Sequence, residues 1–244
     1  MNHWPEGTDR RVYATLDSTM AEADRLRASV SVPTWILALE QTSARGRRGR
    51  VWHQPKGNFS ATLLMKPKGP VQARAQRSFV AALALREAFV ATTGREGAFA
   101  LKWPNDVLLN GGKVAGILLE SLGDHLAIGI GVNLLAAPTR DTVEAGAVSP
   151  VNLRAETGTS LTPEAMLDVL APAYDRWERQ FQTYGFAPVR QAWLSHAARL
   201  GEVITARTAA CETTGTFQTV DDSGALVLKA ADGVHHIPAA DVYF

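Results

Sequence analysis

Arg45-Gly46-Arg47-Arg48-Gly49-Arg50, with Trp52 two residues on, lies between two apolar runs, Trp35-Ile36-Leu37-Ala38-Leu39 and Phe59–Met65. The apolar runs have the length and composition of strands, so the basic stretch reads as the loop that joins them. Four arginines share its six positions with two glycines. Glycine reaches backbone conformations closed to other residues, and guanidinium groups offer planar forks to carboxylate or phosphate. The stretch reads as a flexible loop built to close over an anion. Basic clusters also bind nucleic acid, so the loop alone leaves two functions open. It becomes decisive beside Lys102-Trp103-Pro104-Asn105-Asp106 and the lone Lys113.

Outward from the loop, residues 11–16 read as a strand, and Asp17-Ser18-Thr19 opens a helix to about residue 28, with Thr19 and Glu22 at capping-box spacing. Residues 67–70 form a break. Residues 73–91 have helical spacing, with Phe79, Leu83 and Val90 on or near one face. Residues 99–103 form a strand that stops at Pro104. Residues 107–109 and 114–119 form a hairpin about Asn110-Gly111-Gly112. The strand 125–134 carries Gly129 and Gly131, where something can approach the backbone closely. Residues 136–152 show no period and read as mobile. Pro163–Tyr184 is a helix with proline in its first turn, and 186–200 reads as another. From Gly201 the texture changes to short strands at 203–207, 214–220, 225–228 and 235–238. Turns at Asp221-Asp222-Ser223-Gly224 and Asp232-Gly233 lie between them, as in a small barrel of about four or five strands.

Composition narrows the function. Lys and Arg number 25 against 24 Asp and Glu, a net charge of +1. The basic loop is therefore local, whereas a nucleic-acid-binding protein usually carries a broad basic face. Cys211 is the single cysteine, so neither an intrachain disulfide nor a cysteine metal cluster is expected. No basic segment followed by an apolar run opens the chain, and no stretch is long and apolar enough to span a membrane. A soluble cytoplasmic protein is the expectation.

Arg45, Arg47, Arg48, Arg50, Lys102, Asn105, Asp106, Lys113 and Asn133 mostly fall at strand ends or in loops, where sites are built. One carboxylate among several cations suits a divalent metal bridging polyphosphate oxygens, with arginines neutralising the rest. Lys113, fixed on a hairpin, could polarise a substrate carboxylate or stabilise charge on a phosphorus under attack. No P-loop motif is present and no Ser-His-Asp signal appears. His235 and His236 have no partner at metal-ligand spacing. Plainer readings stand beside these. Ser18 or Thr19 caps a helix in any case. Trp103 and Pro104 pack and position Asn105 and Asp106. Gly116, Gly129 and Gly131 can serve packing alone. Trp52 and Phe59 read as packing before substrate stacking, and His53 as a surface loop residue.

Ser18-Thr19, Gln41, the arginine loop with Trp52, Lys102–Asp106, Lys113-Val114-Ala115-Gly116-Ile117-Leu118 and Gly129-Ile130-Gly131-Val132-Asn133 occur in an order and spacing that resembles biotin protein ligases. The resemblance runs from about Val12 to the end of the sequence. It implies an α+β fold: a mixed or antiparallel sheet with flanking helices, class II aminoacyl-tRNA synthetase-like, over 1–198, and a small SH3-like β-barrel over 199–244. It implies that biotin and MgATP give biotinyl-5′-AMP, and that biotin then passes to one lysine of the carrier domain of a biotin-dependent carboxylase. By the same match, Ser18, Thr19 and Gln41 bond the biotin ureido ring, with Met20 and Gly116 beside them. Arg45, Gly46 and Arg47 close over biotin and phosphate, and Lys113 lies between the biotin carboxylate and the α-phosphate. Arg48, Arg50, Trp52, Lys102, Asn105 and Asn133 go with ATP or the adenylate, Asp106 with Mg2+, and 136–152 orders over adenine. Lys113, Arg47 and Asp106 are the implied catalytic residues.

Two departures bear on this. Ala44 stands where the family often has the first glycine of the loop, which stiffens the entrance and removes no cation. Met20 stands where it often has Asn, which leaves a backbone contact there but no amide side chain. The first strand begins almost at once, so a repressor domain and DNA as a partner are not expected. A homodimer through a sheet edge is open. Two alternatives remain: a lipoate ligase or octanoyltransferase, and a nucleic-acid-binding protein.

Overall fold

A computed structural model of the chain describes residues 3–52, 54–140, 143, 146–208 and 210–244. His53, and residues 141, 142, 144 and 145 of the segment expected to be mobile, lie outside the described residues. Seven strands build the larger sheet: β1 (Asp9–Leu16), β2 (Thr34–Gln41), β3 (Phe59–Met65), β4 (Phe99–Lys102), β5 (Asp106–Leu109), β6 (Gly112–Leu122) and β7 (His125–Val132). They run in the order β1-β2-β3-β7-β6-β5-β4. Only β1 and β2 pair in parallel; the other neighbours are antiparallel.

Strand alternation gives this sheet two unlike faces. Phe59, Ala61, Leu63 and Met65 of β3, and Leu126, Ile128, Ile130 and Val132 of β7, belong to the main core. That core is covered by helices α2 (Arg77–Thr93), α4 (Pro163–Tyr184) and α5 (Phe186–Leu194). The other face is covered only in part, by the short α1 (Thr19–Leu26), whose Met20 and Ala23 meet Ile36, Leu64 and Ala127. The rest of that face is open, and the site lies there.

The hairpin turn follows its sequence. Asn110 (φ 50°) and Gly111 (φ 82°) both take the left-handed conformation, as a two-residue turn matched to strand twist requires. Three local expectations need correction, and one element was not anticipated. Ser18, rather than a Thr19–Glu22 box, caps α1: its hydroxyl accepts from Met20 N, while Glu22 pairs with Tyr13 and Arg25. The helix expected over 73–91 begins at Arg77, after a 3-10 turn at Val71–Arg74, and is buried nearly all round because it lies between the sheet and two helices. The helix expected to reach 200 stops at Leu194. There the chain leaves to cover the free edge of β4, with Leu101 N donating to His196 O and Ala198 N to Leu101 O. A short helix, α3 (Leu153–Thr157), capped by Asn152, was not anticipated.

The closing strands are β8 (Val203–Arg207), β9 (Glu212–Val220), β10 (Leu226–Ala230), β11 (Gly233–Ile237) and β12 (Asp241–Tyr243). They form an antiparallel sheet in the order β11-β10-β9-β8-β12. Its turn at 221–224 docks on the start of α2, on α5 and on Trp103, the residue after β4. Trp103 Nε1 donates to Gly224 O at 3.0 Å, Gln76 to Asp222 O at 2.9 Å, and Arg190 pairs with Asp222.

One buried ion pair ties α2 to α4. Arg77, with no exposed side-chain surface, lies 2.8 Å from Glu178 and also donates to the carbonyls of Lys68 and Ala73. Tyr174 adds a hydroxyl to Glu178, and burial pushes its phenol well above the ordinary range. Removing one partner leaves a buried charge unmatched. Glu178→Ala should therefore lower the unfolding free energy by about 3–5 kcal/mol in urea titration. A loss below about 1 kcal/mol would show that the pair behaves as an exposed one.

Candidate active site

The open face of the sheet floors a cavity of about 460 Å3. Its floor is made by residues with little or no side chain. Gly129 and Gly131 of β7 and Gly116 of β6 line it. A methyl group on Gly129 would sit 2.7 Å from Met20 Sδ, and one on Gly131 would sit 2.5 Å from the Trp52 ring. Met20 and Trp52 thus rest where side chains would otherwise stand. Gly129 and Gly131 thus make room for packed side chains, Trp52 among them, on the cavity floor.

Two groups of polar residues line the cavity, each tied together by its own bonds. In the first, Thr19 N donates to Gln41 Oε1 at 2.7 Å, and Gln41 Nε2 donates to Gln54. Thr62 Oγ1, on β3, donates to Thr19 Oγ1 at 2.8 Å. Ser18, Thr19, Met20 and Gln41, expected together, are together. Ser60 was not anticipated. It lines the same part of β3's open face, and its buried Oγ has no partner among the described residues. The signal was in the strand pattern: Ser60 and Thr62 alternate with Phe59, Ala61 and Leu63.

The second group is ionic. Lys113 Nζ lies 2.7 Å from Asp106 Oδ1, and that oxygen has no aligned hydrogen bond. A bulge places Lys113 there. Val107 pairs with Ala115 but Leu108 pairs with Lys113, so Val114 is the extra residue. Val114 and Ala115 both enter the core in consecutive positions. Broken alternation lets Lys113 share the cavity face with Gly116, and re-aiming a side chain is a common use of a bulge. Residues 149–151 fix the same point, with Lys113 N donating to Ser149 O and Val151 N to Lys113 O. Asn105 is stitched to β6 through Ile117 and accepts from Arg47 at 3.2 Å. Lys102 is buried beside this group, and desolvation pulls its ammonium below the ordinary lysine range, against the pull of Asp106. Asn133 completes the lining, its Oδ1 buried and without a partner among the described residues.

The arginine loop is more tightly held than its sequence implies. Gly46 N donates to Arg50 O at 2.7 Å, Arg50 N to Arg47 O, and Trp52 N to Ala44 O. Of its two glycines only Gly49 is left-handed (φ 72°); the other left-handed residue is Arg48 (φ 56°). Arg45, Arg47 and Arg50 line the cavity with Gly46. Arg48 is not among the lining residues; it pairs with Asp241 at 2.8 Å. Arg45 pairs with Glu120 at 2.8 Å. Burial draws Arg47 below the ordinary arginine range, opposed by Asp241 and Asp106.

Residues 12–133 match the model of the biotin/lipoate A/B protein ligase family, and residues 200–244 match the biotin protein ligase C terminal domain. The chain belongs to the biotin/lipoate A/B protein ligase family. Within it, the chain is 55% identical to the biotin--[acetyl-CoA-carboxylase] ligase of Paracoccus denitrificans, over 96% of this chain and 99% of that one. It is 31% identical to the bifunctional ligase/repressor BirA of Bacillus subtilis, over 94% of this chain and 72% of that one. The structure superposes on the biotin protein ligase from Aquifex aeolicus in complex with biotin and ATP with a TM-score of 0.81, at 27% identity, covering 96% and 97% of the two chains. This ligase-family chain has no helix among the described residues long and apolar enough to cross a membrane.

Gly131→Ala tests the floor. The added methyl should displace the Trp52 ring, red-shift the tryptophan emission and cost about 1–3 kcal/mol of stability. In a Trp52→Phe background both effects should shrink. Unchanged emission and stability would show that the ring is not seated on Gly131.

Proposed function

We infer that the chain is an ATP-dependent biotin protein ligase. It joins biotin and ATP into biotinyl-5′-AMP and passes biotin to a lysine of the carrier domain of a biotin-dependent carboxylase, in the cytoplasm where ATP is at hand. One observation carries the reading. A single cavity, on the glycine floor of a ligase-family sheet, joins a hydroxyl and amide group at Ser18, Thr19 and Gln41 to a cationic group at Arg47, Lys102 and Lys113. The relative with the acetyl-CoA-carboxylase ligase name is similar over nearly its whole length.

The chemistry has two steps. A biotin carboxylate oxygen attacks the α-phosphorus, a P–O bond forms, and the bond to pyrophosphate breaks. Two anions must approach, so fixed cations lower the barrier. Lys113 stands between the carboxylate and the α-phosphate, and Arg47 over the phosphate. The lysine ε-amine of the carrier then attacks the acyl carbon, AMP leaves, and a proton is lost as the amide forms. Ser18, Thr19 and Gln41 hold the ureido ring, Met20 and Gly116 border it, and Arg45 and Gly46 close over it. Asn105, Asn133, Trp52 and Arg50 are assigned to the nucleotide side, while Arg48, expected there, is held by Asp241 off the cavity lining. The loop keeps water from the adenylate, which otherwise hydrolyses.

Asp106 is the carboxylate that would hold Mg2+ as a single ligand: its Oδ1 is buried 2.7 Å from Lys113 without an aligned hydrogen bond, so the ion would replace Lys113 on it as that ammonium turns to the substrates, and Mg2+ commonly takes its remaining oxygens from phosphates and water. When bound, the ion supplies neutralising charge to the polyphosphate. The reading assigns residues 1–198 to catalysis and 199–244 to the closing barrel. β1 is the outer strand of the larger sheet, and its edge is where a second copy would pair as a homodimer.

Purified chain, ATP, magnesium, biotin and a biotin carboxyl carrier domain should give one ATP-dependent biotinyl adduct by intact mass. Adduct formation with lipoate in place of biotin would move the chain to the lipoate side of the family. Lys113→Ala should lower biotin-dependent pyrophosphate release by about 10²–10³-fold with an unchanged melting curve. Release at the parent rate would assign the activating cation elsewhere.

A further inference from the structure

Most of the cations that line the cavity have a carboxylate close by. Arg45 has Glu120 at 2.8 Å, Lys113 has Asp106 at 2.7 Å, and Arg50 and Arg47 have Asp241 at 2.9 and 3.7 Å. Lys102 is the exception. Among the described residues it makes no ion pair, although only 8% of it is exposed. What lies over its ammonium is a ring: Nζ is 5.4 Å from the centroid of Phe244.

A buried ammonium without a close carboxylate is costly. An aromatic face carries negative charge density and attracts a cation at this range. Two parts of the fold bring the pair together. β4 ends at Lys102, and its outer edge is covered by residues 196–198, bonded on both sides of Leu101. From the closing sheet comes β12, whose Val242 packs into the core. Phe244, two residues on, falls on the same side of the chain. Arg199 also lies 5.4 Å from the ring, but it is exposed and has Glu202 at 2.7 Å. Of the two cations on this ring, Lys102 is the one that depends on it. Phe244 itself is 45% exposed and outside the main core, so replacing it spares the fold.

We propose that Phe244 is a positioning residue of the site: its ring face holds the Lys102 ammonium at the cavity wall, without a carboxylate partner, for the phosphates of ATP. The proposal rests on the ligase reading and deepens it. An ammonium that need not leave a carboxylate offers its full attraction to an incoming anion. It also gives the closing sheet a part in the site, through the residue after β12.

Two readouts test this. The first needs no activity. The ε-methylene protons of Lys102, assigned by their loss in Lys102→Arg, should be shifted upfield by the ring in the NMR spectrum of the lysine-labelled chain. Phe244→Leu should abolish that shift. The second is the KM for ATP in biotin-dependent pyrophosphate exchange. Phe244→Leu keeps apolar bulk but no ring, and should raise this KM about fivefold, as a partly shielded cation–π contact implies. The KM for biotin should change less than about twofold, since the contacts are separate. Phe244→Tyr keeps the ring and should stay near the parent. Phenylalanines carrying one, then two, then three fluorine atoms at position 244 should raise the KM for ATP in steps, because fluorine drains the ring face at nearly constant size. An unshifted Lys102 in the parent chain, or a parent KM in Phe244→Leu, would overturn the proposal. So would a raised KM in Phe244→Leu with no trend along the fluorine series, which would reduce Phe244 to packing. If the parent chain makes no adenylate, the ligase reading fails while the NMR shift still decides the contact.

Discussion

The site depends on one constraint: the open face of the seven-stranded sheet must be nearly bare at Gly116, Gly129 and Gly131. The opposite face of the same strands is filled by Ile117, Ile128 and Ile130, packed under three helices. That asymmetry lets a stable sheet carry a cavity without forfeiting its core, since apolar burial is concentrated on one side. It also explains why Met20 and Trp52 can rest directly against Gly129 and Gly131. Any side chain on the floor would push them into the space that two substrates need.

On that floor the charge balance is deliberately uneven. Arg47, Arg50, Lys102 and Lys113 stand against Asp106 and Asp241 in the cavity lining, with Arg48 beside it on Asp241. Such a surplus is costly in the empty protein, and burial pulls both Lys102 and Arg47 toward their neutral forms. It is offset when a polyanion enters, because a cleft lined by one sign of charge concentrates the opposite one. Two carboxylates are spread among the cations. Asp106 is paired with Lys113 on the sheet, and Asp241 with Arg48 and Arg50 of the loop. The hydroxyl and amide group is neutral by contrast, and its bonds are used mainly to fix one another.

Much of the architecture was legible in the sequence for local reasons. β3 and α4 have their anticipated limits, because an unbroken apolar run and a Thr162-Pro163 helix start are strong signals. The Asn110-Gly111 turn follows from what two left-handed residues demand. The polar residues of the cavity came from motifs spread over the chain, and the fold brings nearly all of them to one face. What the sequence did not reveal depends on distant partners. The last turns of the helix expected through 200 are given up to cover the edge of β4, a demand set about a hundred residues earlier in the chain. The bulge at Val114, which decides where Lys113 points, exists only against β5. Arg48 looks like its neighbours in sequence, yet Asp241 draws it off the cavity lining. Ser60 is signalled only by the alternation of β3, whose Ser60 and Thr62 fall between core residues.

In the ligase proposed above, one cavity brings a biotin carboxylate and the α-phosphate of ATP together. Exchange of labelled pyrophosphate into ATP by the purified chain reports that step without a carrier protein. Exchange should need both biotin and magnesium and be abolished when either is withheld. Exchange that proceeds without biotin, or none with biotin, ATP and magnesium all present, would contradict the ligase reading.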